Sequence, residues 1–245
     1  MFRFLKPAIH RPAMRRPYYR RVLAIYRAAL VVYFPLWEAS GSTALNLEGT
    51  TARNATYLNV TLGYAGIGDG RTSPCFQSSA VNALTASLQP AFNGSEGTLI
   101  LWAKVLDASV WGDATNRSLV YLAVDSNNYL DILKPTSENT LRFRYKSGGA
   151  LKSINHNLNT TAYFCVALIW SATNDQVSAF VNGAQVGSTQ SSLGAWAGSL
   201  AYALLGASST TPATPWRGYL AHFALWSSPL SSAQILWLSR PWMGG

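Results

Sequence analysis

Residues Ala162–Val186 read AYFCVALIWSATNDQVSAFVNGAQV. Ala162–Trp170 is a continuous apolar run, which suits a strand in the middle of a sheet. Val177–Val181 leads into Asn182-Gly183, the strongest short-range hairpin signal, and Gln185–Val186 returns. Upstream, Thr98–Val105, Ser118–Val124, Tyr129–Leu133 and Leu141–Tyr145 are strand-like runs separated by Asp, Asn, Gly and Ser. Leu200–Leu205 and Tyr219–Trp226 continue the pattern downstream, and Leu30–Trp37 opens it. Gly63–Pro74 reads as a turn-rich loop before Cys75-Phe76, and Ser231-Ser-Ala-Gln234 fits a capping box on a short helix. Short strands at this spacing with no βαβ alternation predict an all-β, two-sheet antiparallel sandwich.

Composition agrees. The 245 residues are 49% hydrophobic and only 12% charged, with 9 Trp and 12 Tyr, enough apolar bulk for a sizeable core. Two cysteines exclude a disulfide-rich miniprotein, and 19 Gly with 11 Pro in no triplet period exclude a collagen-like fibre. Scarce charge excludes a coiled coil. Cys75 and Cys165 fall on separate predicted strands, as a disulfide if these oppose across the sandwich, otherwise as two buried thiols.

The formal charge of +9 is unevenly spread. Arg3, Lys6, Arg11, Arg15, Arg16, Arg20, Arg21 and Arg27 precede the first acid, Glu38. The remaining 11 cations against 10 acids leave residues 38–245 at +1, so the body offers no surface for specific nucleic-acid binding. Residues 1–29 therefore read as a basic arm that docks on an acidic partner, and 30–245 as the folded domain. Pro17 can start a short helix over Tyr18–Leu30, with Val22, Ile25, Tyr26 and Ala29 on one face, covering an end of the sandwich. Arg27 interrupts the apolar stretch Val22–Trp37, so the start is not a convincing signal peptide, and no window is apolar enough for a transmembrane helix.

Four blocks in order carry a family resemblance over about Leu30–Leu238. They are Val32-Tyr-Phe-Pro-Leu-Trp-Glu38 with Ser40-Gly41, Gly97-Thr-Leu-Ile-Leu-Trp102, Ala167-Leu-Ile-Trp170 with Ala179-Phe-Val-Asn182-Gly183, and Gly218-Tyr-Leu-Ala-His-Phe-Ala-Leu-Trp226 with Leu230–Ile235. Together they resemble the laminin-G-like, concanavalin-A-like jelly-roll domains of the bacterial, phage and metagenomic type. The resemblance implies a jelly roll with Trp102, Leu168, Trp170, Phe180, Phe223 and Leu225 in the core or on sheet faces. It says little about function, which in this fold lives in loops and partners.

Glycosidases of this fold need two carboxylates on one strand in an ExDxxE pattern. Among the ten acids, no two share a predicted strand at i, i+2 or i, i+4, so no catalytic residues and no enzyme are expected. His10, His156 and His222 are isolated, without metal-ligand spacing, and His222 reads as structural. No cofactor is expected, although relatives that bind calcium through loop oxygens point to Asp69, Asp113 and Asp125–Asn128. Five N-x-S/T sequons (Asn54, Asn59, Asn93, Asn116, Asn159) exceed chance only mildly. For a glycan, Trp111, Trp196 and Trp216 are the loop aromatics, though such a Trp also serves to cap a sandwich end. The expected function is a non-enzymatic structural or decoration protein of a phage or virus particle. Its partners would be capsid or tail subunits or further copies of itself, placing it on a virion or extracellular surface. The alternative is a carbohydrate-binding or adhesion module.

Overall fold

The computed structural model describes residues 17–77, 83–86, 88, 91–208 and 214–241. Arg3, Lys6, Arg11, Arg15 and Arg16 of the expected arm lie outside the described residues. In chain order come α1 (Tyr18–Ala24), β1 (Leu30–Phe34), β2 (Thr43–Ala44), β3 (Ala55–Leu58), β4 (Thr61–Ala65), β5 (Thr72–Phe76), β6 (Ala83–Ala86), β7 (Glu96–Val105) and β8 (Arg117–Ala123). They are followed by β9 (Tyr129–Lys134), β10 (Thr140–Ser147), β11 (Ala150–Asn157), β12 (Phe164–Ser171), β13 (Gln176–Val181), β14 (Ala184–Gln190), β15 (Tyr202–Leu205), β16 (Gly218–Trp226) and α2 (Ser232–Leu238).

The first sheet runs β14-β13-β12-β7-β16-β5-β4, with β1 also paired to β16. The second runs β11-β10-β9-β8-β15-β6-β3-β2. Every strand pair is antiparallel, as the hairpin chemistry predicts; β12 and β13 close on the Asn182-Gly183 turn. The predicted loop Gly63–Pro74 is itself a hairpin, because β4 and β5 pair at its ends. β2, β3, β6 and β11 had no strand reading in the sequence.

Leu99, Leu101, Ala103 and Val105 of β7 meet Leu141, Phe143 and Tyr145 of β10 in the core between the sheets. The alternate residues of β7 and β12, among them Ile100, Trp102, Cys165 and Ala167, point the other way. There they are covered by Tyr18 and Val22 of α1, by Ile25 just after it, and by Ile235 and Leu238 of α2. The central strands of the first sheet, β12, β7 and β16, are thus buried on both faces, which is why Ala162–Trp170 is apolar without alternation. Each fully buried large side chain contributes about 1.5–3 kcal/mol.

The first helix ends sooner than its pattern suggests, and covers the sheet rather than an end of the sandwich. Tyr26 turns left-handed at φ +42° and is exposed, and Arg27–Ala29 forms one 3-10 turn. The capping box is present: Ser231 Oγ accepts from Gln234 N, and the Gln234 side chain accepts from Ser231 N. Cys75 and Cys165 do not oppose across the sandwich. They lie on β5 and β12 of one sheet with β16 and β7 between, about three strand spacings of ~4.8 Å apart, and are free buried thiols. No helix among the described residues is long and apolar enough to cross a membrane.

Candidate functional site

With the helices on the first sheet, the outer face of the second stands open. Strict alternation in Thr140–Ser147 sends Leu141, Phe143 and Tyr145 to the core, leaving Arg142, Arg144 and Lys146 on the open face. Tyr129 and Asp131 on β9, Tyr121 on β8 and Tyr202 on β15 face the same way, and the register sets them in rows. Leu204, Tyr121, Asp131, Arg144 and Ser153 are successive cross-strand partners, as are Tyr202, Ala123, Tyr129, Lys146 and Leu151. The three tyrosines cluster, with Tyr121 6.4 Å from Tyr129 and 6.3 Å from Tyr202 between ring centroids. Tyr202 is 49% exposed.

Beside them a cleft of about 180 Å³ is lined by Asn116, Ser118, Tyr121, Asp131, Leu133, Arg144, Ser208 and Thr214. Asp131 forms its floor, only 2% exposed. Arg144 Nε donates to Asp131 Oδ1 at 2.8 Å and Nη2 to Oδ2, a fork-to-fork pair that leaves Nη1 unused by the carboxylate. Burial pushes the Asp131 carboxyl up, and Arg144 opposes this. The same hydrogen bond raises the guanidinium further, so Arg144 is always cationic. Its Cζ sits 5.3 Å from the Tyr129 ring centroid. Ser118 and Thr214 hydroxyls bond each other at 3.0 Å on the rim. Flat rings, hydroxyls, an amide and a held ion pair can pack an apolar ring face while pairing its polar edge.

The three tryptophans expected to face a sugar do not. Trp111 and Trp216 are 1% and 0% exposed, in the core, and the Trp111 indole donates to Thr160 O at 2.8 Å. Their Gly/Ser/Thr/Pro surroundings in sequence mark turns folded over the core, not exposure. Trp196 is half-buried, 5.5 Å from Phe92 and 5.8 Å from Tyr145, closing a sandwich end. It seats over Gly94, where a Cβ would come within 2.2 Å of the indole.

The expected calcium oxygens are committed within the chain. Burial would raise the Asp113 carboxyl, but Lys134 and Arg117 outweigh it and hold it low, with Lys134 Nζ at 2.9 Å. Asp125 Oδ1 accepts from the backbone N–H of Asn127 and Asn128, both at 2.8 Å, as turn residues do. Asp69 pairs with His222. Among the described residues no group of three His, Cys, Asp or Glu could hold a metal ion.

Of the arm cations that are described, Arg20 is exposed and Arg27 donates to Glu48 O at 2.7 Å. Arg21 is not a free arm residue: at 2% exposure it turns inward. Its Nη1 donates to Trp237 O at 2.9 Å and its Nη2 to Arg240 O and Pro241 O, supplying donors to carbonyls in and beyond the last turn of α2. The helix face that buries Tyr18 and Val22 takes Arg21 with it.

Beneath α1 lies a chain of polar groups. Asp69 Oδ2 is 3.0 Å from His222 Nε2, and His222 Nδ1 is 2.8 Å from Tyr33 Oη. Trp102 Nε1 donates to Tyr18 Oη, which donates to Leu238 O, both at 2.9 Å. His222 is 1% exposed and sits at φ +53° in a bulge of β16. The neutral tautomer donating to Asp69 and accepting from Tyr33 satisfies both contacts. With α1 packed on it, this chain secures the helix to the sheet and opens on no substrate, as a structural His222 requires.

No sequence motif singles out Tyr121, Tyr129, Asp131, Arg144 and Tyr202. Their signal was the polar half of an alternating strand.

No curated protein sequence matches the chain. Solved structures do, at low identity. The botulinum neurotoxin serotype D ligand binding domain in complex with N-acetylneuraminic acid aligns with TM-score 0.68 and 11% identity, over 89% of this chain and 52% of that one. The binding domain of Paraclostridial Mosquitocidal Protein 1 aligns at 0.66 and 13%, over 87% and 52%. Domain 4 of AbnA, a GH43 extracellular arabinanase from Geobacillus stearothermophilus in complex with arabinotriose, aligns at 0.64 and 13%, over 86% and 98%. This chain thus spans about half the length of the toxin domains and nearly all of the arabinanase domain. These likenesses establish the jelly-roll fold. A family model described as the concanavalin A-like lectin/glucanases superfamily matches residues 78–236, well over half of the sequence, and the chain belongs to that superfamily.

Proposed function

We propose that the chain is a non-enzymatic carbohydrate-binding or adhesion module whose glycan lies on the open face of the second sheet. The observation that carries the reading is the cluster of Tyr121, Tyr129 and Tyr202 beside the Asp131–Arg144 pair. The rings offer flat apolar surface to sugar C–H groups, and the pair offers a fixed acceptor and donor to hydroxyls. The cleft is smaller than the roughly 300–1,000 Å³ of enclosing pockets, so it takes one part of a ligand while the rest lies across the strands. Affinity in the micromolar to millimolar range, about −4 to −8 kcal/mol, fits so open a site. That the arabinanase domain is a structure with arabinotriose adds support from the fold.

The non-enzymatic part of the reading draws its support from the placement of the acids: on the described strands they are Glu96 of β7 and Asp131 of β9, so no described strand carries a carboxylate pair. Every carboxylate except Glu138 has a described partner within the chain, from Glu38 with Tyr57 to Asp175 with Ser192 and Leu193. A role as a decoration subunit of a phage or virus particle draws its support from the arm's charge alone, and Arg21 no longer belongs to that account.

Glycan-array screening followed by calorimetry tests the proposal. Binding should fall about tenfold or more in Tyr121→Ala and Tyr202→Ala. An array without a hit, or hits that both variants keep at full strength, would overturn it.

A further inference from the structure

We infer that the glycan is anionic, carrying its charge on the sugar as carboxylate or sulfate, with the charged residue over β10 and neighbouring neutral residues over the tyrosines. The inference rests on the carbohydrate-binding reading above. β10 sends Arg142, Arg144 and Lys146 outward at alternate positions about 6.8 Å apart. Arg144 is neutralised by Asp131. The other two are held by neutral acceptors: Arg142 Nε donates to Asn155 Oδ1 and Lys146 Nζ to Ser126 O, each at 2.9 Å.

Among the described residues, neither Arg142 nor Lys146 has a carboxylate within ion-pair distance. The nearby acid, Asp125, spends Oδ1 on three N–H donors of its own turn. Two cations on one strand are therefore hydrogen-bonded to neutral groups, while Asp125 acts on Lys146 and Asp131 on Arg142 only from beyond ion-pair distance. An arginine fork matches an oxyanion in geometry as well as charge, and is stronger for it than a neutral pair. The register connects this strip to the rings, since Tyr202, Tyr129 and Lys146 stand in one row spanning about 14 Å. A ligand lying along that row meets rings first and Lys146 last, with Arg142 four residues further along β10.

The test is a glycan array carrying uronate-bearing, sialylated and sulfated oligosaccharides, each beside its neutral counterpart, probed with the full chain and with an Arg142→Gln/Lys146→Gln double variant. Acidic glycans should bind about tenfold tighter than their counterparts, with the preference shrinking as salt rises. The double variant should lose the preference, keep its thermal midpoint and retain the weaker neutral binding. Carboxylated against sulfated arms identify which anion is read. Equal binding of acidic and neutral glycans would overturn the anionic inference and leave the glycan reading standing. Loss of all glycan binding in wild type would remove both. Single-stranded DNA bound more tightly than any glycan, and lost in the double variant, would assign the strip to nucleic acid and likewise overturn the inference.

Discussion

The two sheets have similar strands and opposite outer faces. On the first, Trp102, Cys165, Ala167 and Phe180 lie under two helices; on the second, tyrosines, arginines and a lysine meet water. The difference shows that this jelly roll covers the centre of one outer face with helices and leaves the other face without them. On the covered face most buried polar groups are engaged, as in the Asp69–His222–Tyr33 chain, although Arg21 Nε has no hydrogen-bond partner. On the open face they are held, yet retain capacity toward a ligand.

The largest expected difference between the faces is in stability. Trp102 is 3% exposed and hydrogen-bonded to Tyr18, so Trp102→Ala removes both a buried ring and an anchor for α1. We expect a loss of about 3–5 kcal/mol in urea denaturation. A loss below about 1 kcal/mol would mean that α1 does not depend on the sheet for its place.

Two arginines give the matched pair. Arg21→Ser should cost about 1–3 kcal/mol, because part-buried carbonyls around the end of α2 lose their donor and the packed side chain is lost. Its neighbour Arg20→Ser should stay within about 0.5 kcal/mol. On the open face, Arg144→Ala should also cost about 1–3 kcal/mol at pH 7, since Asp131 is left buried and unpaired. That cost should shrink in acid as Asp131 takes a proton, and Asp131→Asn in the same chain should recover part of it. If Arg144→Ala is neutral at pH 7, the pair contributes no positional constraint and the cleft's geometry is not built by it.

These contrasts also explain what the sequence could and could not convey. The covered sheet was legible because burial on two faces writes continuous apolar runs, and the Asn182-Gly183 turn then set the hairpin. Short strands escaped: Thr43–Ala44 is two residues long, and Ala150–Asn157 exposes most of its side chains, so neither carries a clear hydrophobic period. The site was harder still. Trp111 and Trp216 sit among turn residues, a context that marks a bend in the chain and cannot distinguish a ring folded inward from one left outside. Arg21 looked like arm charge because an interior acceptor set made of backbone carbonyls leaves no trace in side-chain sequence. Tyr129 and Asp131 lie two residues apart on one strand, but Tyr121, Arg144 and Tyr202 join them only through register.

The response to pH should separate the faces with a smaller effect. His222 is lowered by burial, and Asp69 is held low because its bond and charge interaction with His222 outweigh its own burial. For both, the unfolded chain binds protons more readily, so stability is lost as pH falls, first below about 6.5 for His222 and then through the carboxylate range for Asp69. Asp131 is raised and works oppositely, with the folded state gaining its proton first as pH falls toward 3.8. Urea midpoints between pH 7 and 4 should therefore fall less steeply in His222→Gln than in wild type, and more steeply at the acid end in Asp131→Asn. Parallel curves for all three would remove the two groups from the account.

As small a change in stability as that of Arg20→Ser is expected at Tyr202, where it is the most informative for function. Its ring is 49% exposed, it stands near the end of a short strand, and its main contact is Tyr121 at 6.3 Å. A side chain this exposed contributes little to folding, so Tyr202→Ala should shift unfolding by no more than about 0.5 kcal/mol. With Tyr121 and Tyr129 it forms an exposed aromatic patch, the surface that the glycan reading requires. Calorimetry against the best glycan from the array should then show binding reduced about tenfold with an unchanged thermal midpoint. If instead the midpoint drops by several degrees while binding persists, Tyr202 is part of the sheet's packing. The open face would then differ from the covered one only in polarity, and not in purpose.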